Sequence, residues 1–262
     1  MLSKQIDKAF LLAAGLGTRL RPLTDRIPKC LVPICGKPLL SIWLEICRSL
    51  GVREVLINTH HLADQVRTWA RTQDTTVSIT LVHEDTLLGS AGTVTANRNF
   101  VQSPQDFYVF YADNLVHVNL HALTLAHSQH RGVVTLGLFR TTSPRECGIV
   151  ALDSSGRVTS FEEKPVTPKS DLANAGMFVA RQEIFDFLTP ERFADFGKDV
   201  LPSLVGKMRG VILEGYIRDV GTPDNYQRAL EEWPAICRNA ERGSVNKGYA
   251  PYLGTRAHDI ER

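Results

Sequence analysis

The feature that most constrains this chain is a set of apolar runs that do not alternate. "KAFLLAA" (8–14), "REVLIN" (53–58), "FYVFYAD" (107–113) and "GVVTLGLF" (132–139) carry their apolar residues in succession, and "VSITLVHE" (77–84) is a further run of strand character. A strand with one face in water alternates; a strand covered on both faces reads as a continuous run, as in a parallel sheet. Helical patterns fall between the runs. In 38–50, Leu39, Trp43, Ile46 and Leu50 share one face and Gly51 follows as a stop, while 61–71 and 119–130 are further helix candidates. This alternation predicts βαβ units and an α/β fold with a Rossmann-like, doubly wound, mostly parallel mixed sheet. In such sheets ligands bind beyond the carboxyl ends of the strands.

The second half is less regular. "GIVALDSSGRVTSFEEKP" (148–165) predicts two strands around a turn at Ser154–Gly156, and "LANAGMFVA" (172–180) predicts another strand, followed by a helix. "GVILEGYIRDVG" (210–221) reads as one strand, and Thr222-Pro223 opens a helix over 222–233. No linker rich in Gly, Ser or Pro interrupts the chain. The expectation is one domain over 1–242 and a tail, 243–262, either mobile or docked on a neighbouring subunit.

Composition narrows the function classes. Lys plus Arg is 30 against 28 for Asp plus Glu, a formal charge of +2, which argues against a general nucleic-acid binder. No stretch approaches the roughly 20 apolar residues of a membrane span, and "MLSKQIDKAF" carries no apolar signal core. The five cysteines are odd in number and form no CxxC pair, so they read as small buried hydrophobes in a reducing compartment. The expected location is the cytoplasm, with small-molecule partners rather than nucleic acid or membrane.

The charge that matters is local. "AAGLGTRLRPLTDRIPK" (13–29) follows the first strand and gathers Arg19, Arg21, Arg26 and Lys29. The dinucleotide fingerprint needs a third glycine where Leu20 stands, and the G-x-x-x-x-G-K-[ST] loop is absent. A third design, G-x-G-T-R-[LM]-x-P-L-T followed by P-K, is complete. Gly15 and Gly17 offer backbone N–H groups at close approach. Arg19 offers a planar fork for phosphate oxygens and Lys29 a compact charge. The loop is suited to hold a triphosphate and to stabilise negative charge during phosphoryl chemistry.

Further along, Asp113 ends the strand of "FYVFYAD" and Asp219 lies in "IRDVG", each either a strand-end turn residue or a hard-cation ligand. Glu84, in "VHEDTLLGSAGTV", precedes a small-residue turn, Gly89 to Gly92, that admits a flat ligand. As an ionised acceptor it suits guanine's adjacent N1–H and 2-amino donors, if it faces a base; otherwise it is a solvated strand-end residue. "FEEKP" (161–165) and "NAGMF" (174–178) supply Glu163, Lys164 and Asn174, either a pocket for an anionic sugar or a solvated edge. His117, His121, His127 and His130 read as a polar helix face, and His60-His61 as a loop or helix start.

The long loop, with these later matches, resembles the sugar-1-phosphate nucleotidylyltransferases, nearest in motif to guanylyl-transferring members that act on mannose or heptose 1-phosphate. The resemblance extends to about Ala229. It implies attack by a sugar 1-phosphate on the α-phosphorus of an NTP, GTP favoured, giving NDP-sugar and pyrophosphate with Mg²⁺ assisting. It implies catalytic roles for Arg19, Lys29 and Asp113, and nucleotide contacts from Ala14, Gly15, Gly17, Thr18, Glu84, Gly89 and Gly92. Sugar-phosphate contacts would come from Gly148, Glu163, Lys164 and Asn174, and Mg²⁺ would sit on Asp113 and Asp219. Two positions depart from the pattern: Ile217 stands where Trp is frequent and Cys147 where Tyr is frequent. The alternatives are uridylyl or thymidylyl transfer, or a silent paralogue that binds a nucleotide sugar. Many relatives self-associate, so a homo-oligomer is a further expectation.

Overall fold

A computed structural model of the chain describes residues 5–101, 105–189 and 193–247. Its strands are β1 (Lys8–Leu12), a short hairpin of β2 (Pro33–Ile34) and β3 (Lys37–Pro38), β4 (Glu54–Thr59), β5 (Ser78–His83), β6 (Phe107–Tyr111), β7 (Asn114–Val118), β8 (Val134–Arg140), β9 (Gly148–Leu152), β10 (Val158–Glu163), β11 (Leu172–Ala180), β12 (Met208–Ile212) and β13 (Gly215–Asp219). The helices are α1 (Leu39–Ser49), α2 (Ala63–Arg71), α3 (Gly89–Ala96), α4 (His121–Ser128) and α5 (Pro223–Lys247).

The continuous runs have the expected cause. Along β1, Ala9 and Leu11 enter one core and Phe10 the other; along β6, Tyr108 and Phe110 part from Phe107 and Val109. Both faces are therefore buried. Residues of α1, α2, α4 and α5, among them Trp43, Trp69, Leu123 and Trp233, fill one layer. Ala91 and Val94 of α3 fill the other, with the short turns that carry Ile184, Leu201 and Leu204. The sheet runs β10-β9-β11-β6-β1-β4-β5, with β8 pairing β11 and β12 pairing β8. β1 is parallel to β4 and β6, and β4 to β5, whereas β11 runs antiparallel to β6 and β8. The doubly wound, mixed sheet is thus the one expected. No helix among the described residues is long and apolar enough to cross a membrane.

Four local expectations change. The run 210–221 is two strands, not one: β12 joins β8, and β13 leaves the main sheet to pair β7. The break falls at Gly215, whose φ of 131° is open only to glycine and which lies against the His117 carbonyl. No sequence pattern marked β7 in advance. The small-residue turn Gly89–Gly92 is instead the first turn of α3, and the helix expected after residue 180 is a 3-10 turn, Gln182–Phe187. α5 continues through Gly243 to Lys247; residues 248–262 of the expected tail lie outside the described residues.

The histidines of α4 are not all a polar face, since His127 is buried. At the sheet end away from the β1 carboxyl terminus, Gly132 N–H donates to His130 Nδ1 at 2.8 Å. His130 Nε2 and His127 Nδ1 each lie 2.7 Å from Thr135 Oγ1, and Arg181 donates to the His127 and His130 carbonyls. Burial lowers the pKa of both rings, with Arg181 adding to it and Asp106 opposing it at His127; His130 falls to about 4. The unfolded chain protonates such rings below about 6.5 while the fold resists, so their contribution is present at neutral pH and lost as pH falls toward 4. Thermal unfolding between pH 7 and 4.5 is expected to show a falling midpoint, with a shallower fall in a His127→Gln/His130→Gln double variant.

Candidate active site

The glycine-rich loop leaves β1 at the carboxyl edge of the sheet. Gly17 has φ 65°, and an added Cβ would lie 2.8 Å from Thr24 Cγ2. The Thr24 hydroxyl and Leu20 N–H both donate to the Gly17 carbonyl, at 2.7 and 2.9 Å. Gly17 therefore shapes the loop from within. Gly15 is exposed with open space around it, so its freedom faces outward. Thr18 and Arg19 occupy an exposed 3-10 turn. Ala14 and Gly15 line a cleft of about 210 Å³ together with Lys29, Glu84, Gly89 and Asp113.

At one end of that cleft a single ammonium holds two carboxylates. Lys29 Nζ lies 2.7 Å from Asp113 Oδ2 and 3.0 Å from Asp219 Oδ1, and Arg19 reaches Asp219 Oδ2 at 3.4 Å. The Lys29 side chain is 7% exposed, against 39% and 42% for its partners. Burial alone would lower its pKa, but the two carboxylates outweigh burial and the net shift is upward. Lys29 is a fixed cation here, not a proton carrier.

The fold brings these residues together from three parts of the chain. Asp113 follows β6 and its backbone carbonyl accepts from Val220 N–H at 3.4 Å. The β7–β13 ribbon sets Asn114 opposite Asp219, so the register that pairs two strands also pairs two carboxylates. Trp43 stacks on Phe110 at 5.1 Å and donates its indole N–H to the Asn114 carbonyl at 2.8 Å, fixing the corner beside Asp113. Arg218 grips Glu232 of α5 with two hydrogen bonds, at 3.0 and 2.9 Å, fixing the strand beside Asp219. Gly221 admits the cluster: a Cβ there would lie 2.7 Å from Asp219 Oδ1 and 2.8 Å from Lys29 Nζ.

Glu84 is not the solvated strand-end residue that was one of its two readings. It is 5% exposed. Its Oε1 accepts from Asn58 Nδ2 at 2.9 Å and from Thr93 Oγ1 at 2.5 Å, and its Oε2 from Leu88 N–H at 3.0 Å. Asn58 Oδ1 accepts from Ala13 N–H at 2.7 Å, which ties this wall to the glycine loop. Gly89 lines the cleft at φ 76° and packs against the Ala194 carbonyl. Gly92 does not line it: it is buried inside α3, and its N–H and that of Ala91 donate to Ala194 O at 3.1 and 2.9 Å. The first N–H groups of α3 thus go to a neighbouring segment.

Across the sheet lies the second group. Gly148 pairs Glu163 between β9 and β10, and a Cβ on Gly148 would sit 2.7 Å from Glu163 Oε2. Gly197 flanks the same carboxylate, where a Cβ would sit 2.6 Å from Oε2. Burial raises the Glu163 pKa, with Asp195 adding to it and Lys164 opposing it. Lys164 has φ 47°, and its N–H donates to the Cys147 carbonyl at 3.0 Å. Asn174 Oδ1 accepts from Gly176 N–H at 3.1 Å; Gly176, at φ 67°, forms the bulge of β11 and packs on the Tyr111 ring. Asp195 accepts from Ser90 Oγ at 2.8 Å and from Gly197 N–H at 2.9 Å, while Ala194 N–H donates to Leu88 O at 2.9 Å. Segment 193–199 therefore clasps both groups.

Sequence reasoning missed Asn58, Ser90, Tyr111, Phe193 and Gly221. The glycine of "DVG" was a signal for the last; the others carried none. Among the described residues no three His, Cys, Asp or Glu side chains gather as a metal cluster.

Known proteins resemble this chain along most of its length. The family model described as nucleotidyl transferase matches residues 8–235. The chain is 32% identical to a mannose-1-phosphate guanylyltransferase of Mycobacterium tuberculosis over 100% of its own length and 70% of that protein. It is 30% identical to a UTP–glucose-1-phosphate uridylyltransferase of Synechocystis over 85% of its own length, and spans 62% of that relative. The crystal structure of HddC from Yersinia pseudotuberculosis complexed with GMP-PN superposes with a TM-score of 0.72 at 23% identity, covering 87% of this chain and 100% of that one. It shares the fold.

Removing the shared cation tests the cluster. Lys29→Met should cost about 1–3 kcal/mol at pH 7, because two carboxylates are left facing each other. Urea unfolding of the variant and the wild type measures the deficit.

Proposed function

The chain belongs to the nucleotidyl transferase family, and from that premise we propose that it transfers a nucleotidyl group from an NTP to a sugar 1-phosphate. The observation that carries the proposal is the Lys29 ammonium shared by Asp113 and Asp219 at the end of the cleft. In this reading a sugar-phosphate oxygen attacks the α-phosphorus in line. A new P–O bond forms, the bond to the bridging oxygen breaks, and pyrophosphate leaves with the electron pair. No protein nucleophile is required. Arg19, 65% exposed at the side chain, and Lys29 neutralise the phosphates. Lys164 holds the sugar phosphate, and Glu163 and Asn174 accept from sugar hydroxyls.

Asp113 and Asp219 suit Mg²⁺. Their oxygens converge on one cation position, and magnesium is commonly held by one or two carboxylates and completed by phosphates and water. When bound it would share the charge of the phosphates and leaving group. Both carboxylates now contact Lys29, so metal and ammonium would divide them.

Guanylyl transfer is the finer reading. Among the described residues Glu84 Oε2 accepts one hydrogen bond, from Leu88 N–H, and keeps an acceptor site at the cleft wall. The M. tuberculosis relative's name gives the same base. Uridylyl transfer is the second reading, favoured by the name of the Synechocystis relative. A silent binding protein is disfavoured because Arg19, Lys29, Asp113, Lys164 and Asp219 are all present.

Pyrophosphate release with Mg²⁺, each of GTP, UTP, dTTP, CTP and ATP, and a panel of sugar 1-phosphates is expected to be fastest with GTP. Release with UTP alone would keep the reaction and discard the base. Asp113→Ala should lower turnover on the order of 100-fold or more with the fold intact by circular dichroism; normal turnover in that variant would overturn the role of Asp113.

A further inference from the structure

β4 ends at Asn58-Thr59, and the two histidines that follow it, His60 and His61, play no part in the chemistry above. They are adjacent in sequence yet serve different walls of the cleft. His60 Nδ1 lies 2.6 Å from the Glu84 carbonyl oxygen, where the base wall begins. His61 Nε2 lies 2.8 Å from the Thr24 carbonyl oxygen, and Thr24 in turn holds the Gly17 carbonyl. A carbonyl only accepts, so each of these ring nitrogens carries its proton. Leu62, at φ 53°, turns the chain into α2 directly after the pair. The backbone shares the work: Glu84 N–H donates to Thr59 O at 2.9 Å.

We propose that His60 and His61 are positioning residues for the nucleotide. His61 sets the glycine loop that meets the phosphates, and His60 sets the segment from Glu84 that meets the base. The inference rests on reading the cleft as the nucleotide site. It separates the two rings by consequence. Phosphates are common to every NTP, so a loop displaced by losing His61 weakens all of them alike. The base differs, so a wall displaced by losing His60 changes the preference among them.

Amide side chains separate the hydrogen bond from the ring's bulk, because an Asn amide nitrogen stands near Nδ1 and a Gln amide nitrogen near Nε2. Calorimetry with GTP and with UTP on the full chain tests the proposal, with thermal unfolding as the check on folding. His61→Ala should weaken both nucleotides about tenfold, and His61→Gln should stay within about threefold of wild type. His60→Ala should narrow the ratio of GTP to UTP affinity, and His60→Asn should restore it. In turnover the KM for nucleotide should rise in the Ala variants, with kcat and the KM for sugar 1-phosphate little changed. Ala variants that bind like wild type, or amide variants no better than Ala, would overturn the proposal. A wild-type chain that binds nucleotide without releasing pyrophosphate would overturn the transferase reading alone. One that binds neither nucleotide would overturn both.

Discussion

A buried ammonium held between two carboxylates organises this protein. Lys29 comes from the loop after β1, Asp113 from the end of β6, and Asp219 from the end of β13. No short segment contains two of the three. A buried cation without partners would cost several kcal/mol, so the loop is favoured in this conformation only when both strand ends are in place. The Trp43–Asn114 hydrogen bond, the Arg218–Glu232 fork and the bare Cα of Gly221 are the local conditions for that meeting.

The same charges that bind one another are those an anionic ligand would meet. Lys29 is almost wholly covered while Arg19 stands in water. A phosphate arriving at the cleft would find one cation buried in place and one exposed, in reach of Asp219 at 3.4 Å. Placement is set by the fold, and capture is left to a long, exposed side chain with little to lose by moving.

Much of the fold was legible because covering both faces of a sheet leaves a direct mark, the unbroken runs of β1, β4 and β6. The glycine loop with Lys29 was legible because its spacing is local, whereas Asp113, Glu163 and Lys164 each kept two readings in the sequence and took a site role only from the family resemblance. What was not legible is what depends on partners far away in sequence. β7 and β13 are short and pair with each other away from the main sheet, so neither run announced its pairing. Gly89–Gly92 looked like a turn because the carbonyl of Ala194, about a hundred residues on, is what receives the N–H groups of that helix. Glu84 had two readings because Asn58 and Thr93, which tie it down, reveal nothing in the sequence.

Segment 193–199 touches the wall beside Glu84 through Ser90 and the carboxylate of Glu163 through Gly197. A single stretch of backbone thus borders both halves of the cleft. On the proposed reading, donor and acceptor would not be independent variables of this scaffold. A substitution that reshapes the room around Glu163 would also strain the clasp on α3, beside the wall where the proposed nucleotide site lies. Diversification along such a lineage would proceed by matched pairs of substrates, with changes at one site selecting for adjustments at the other.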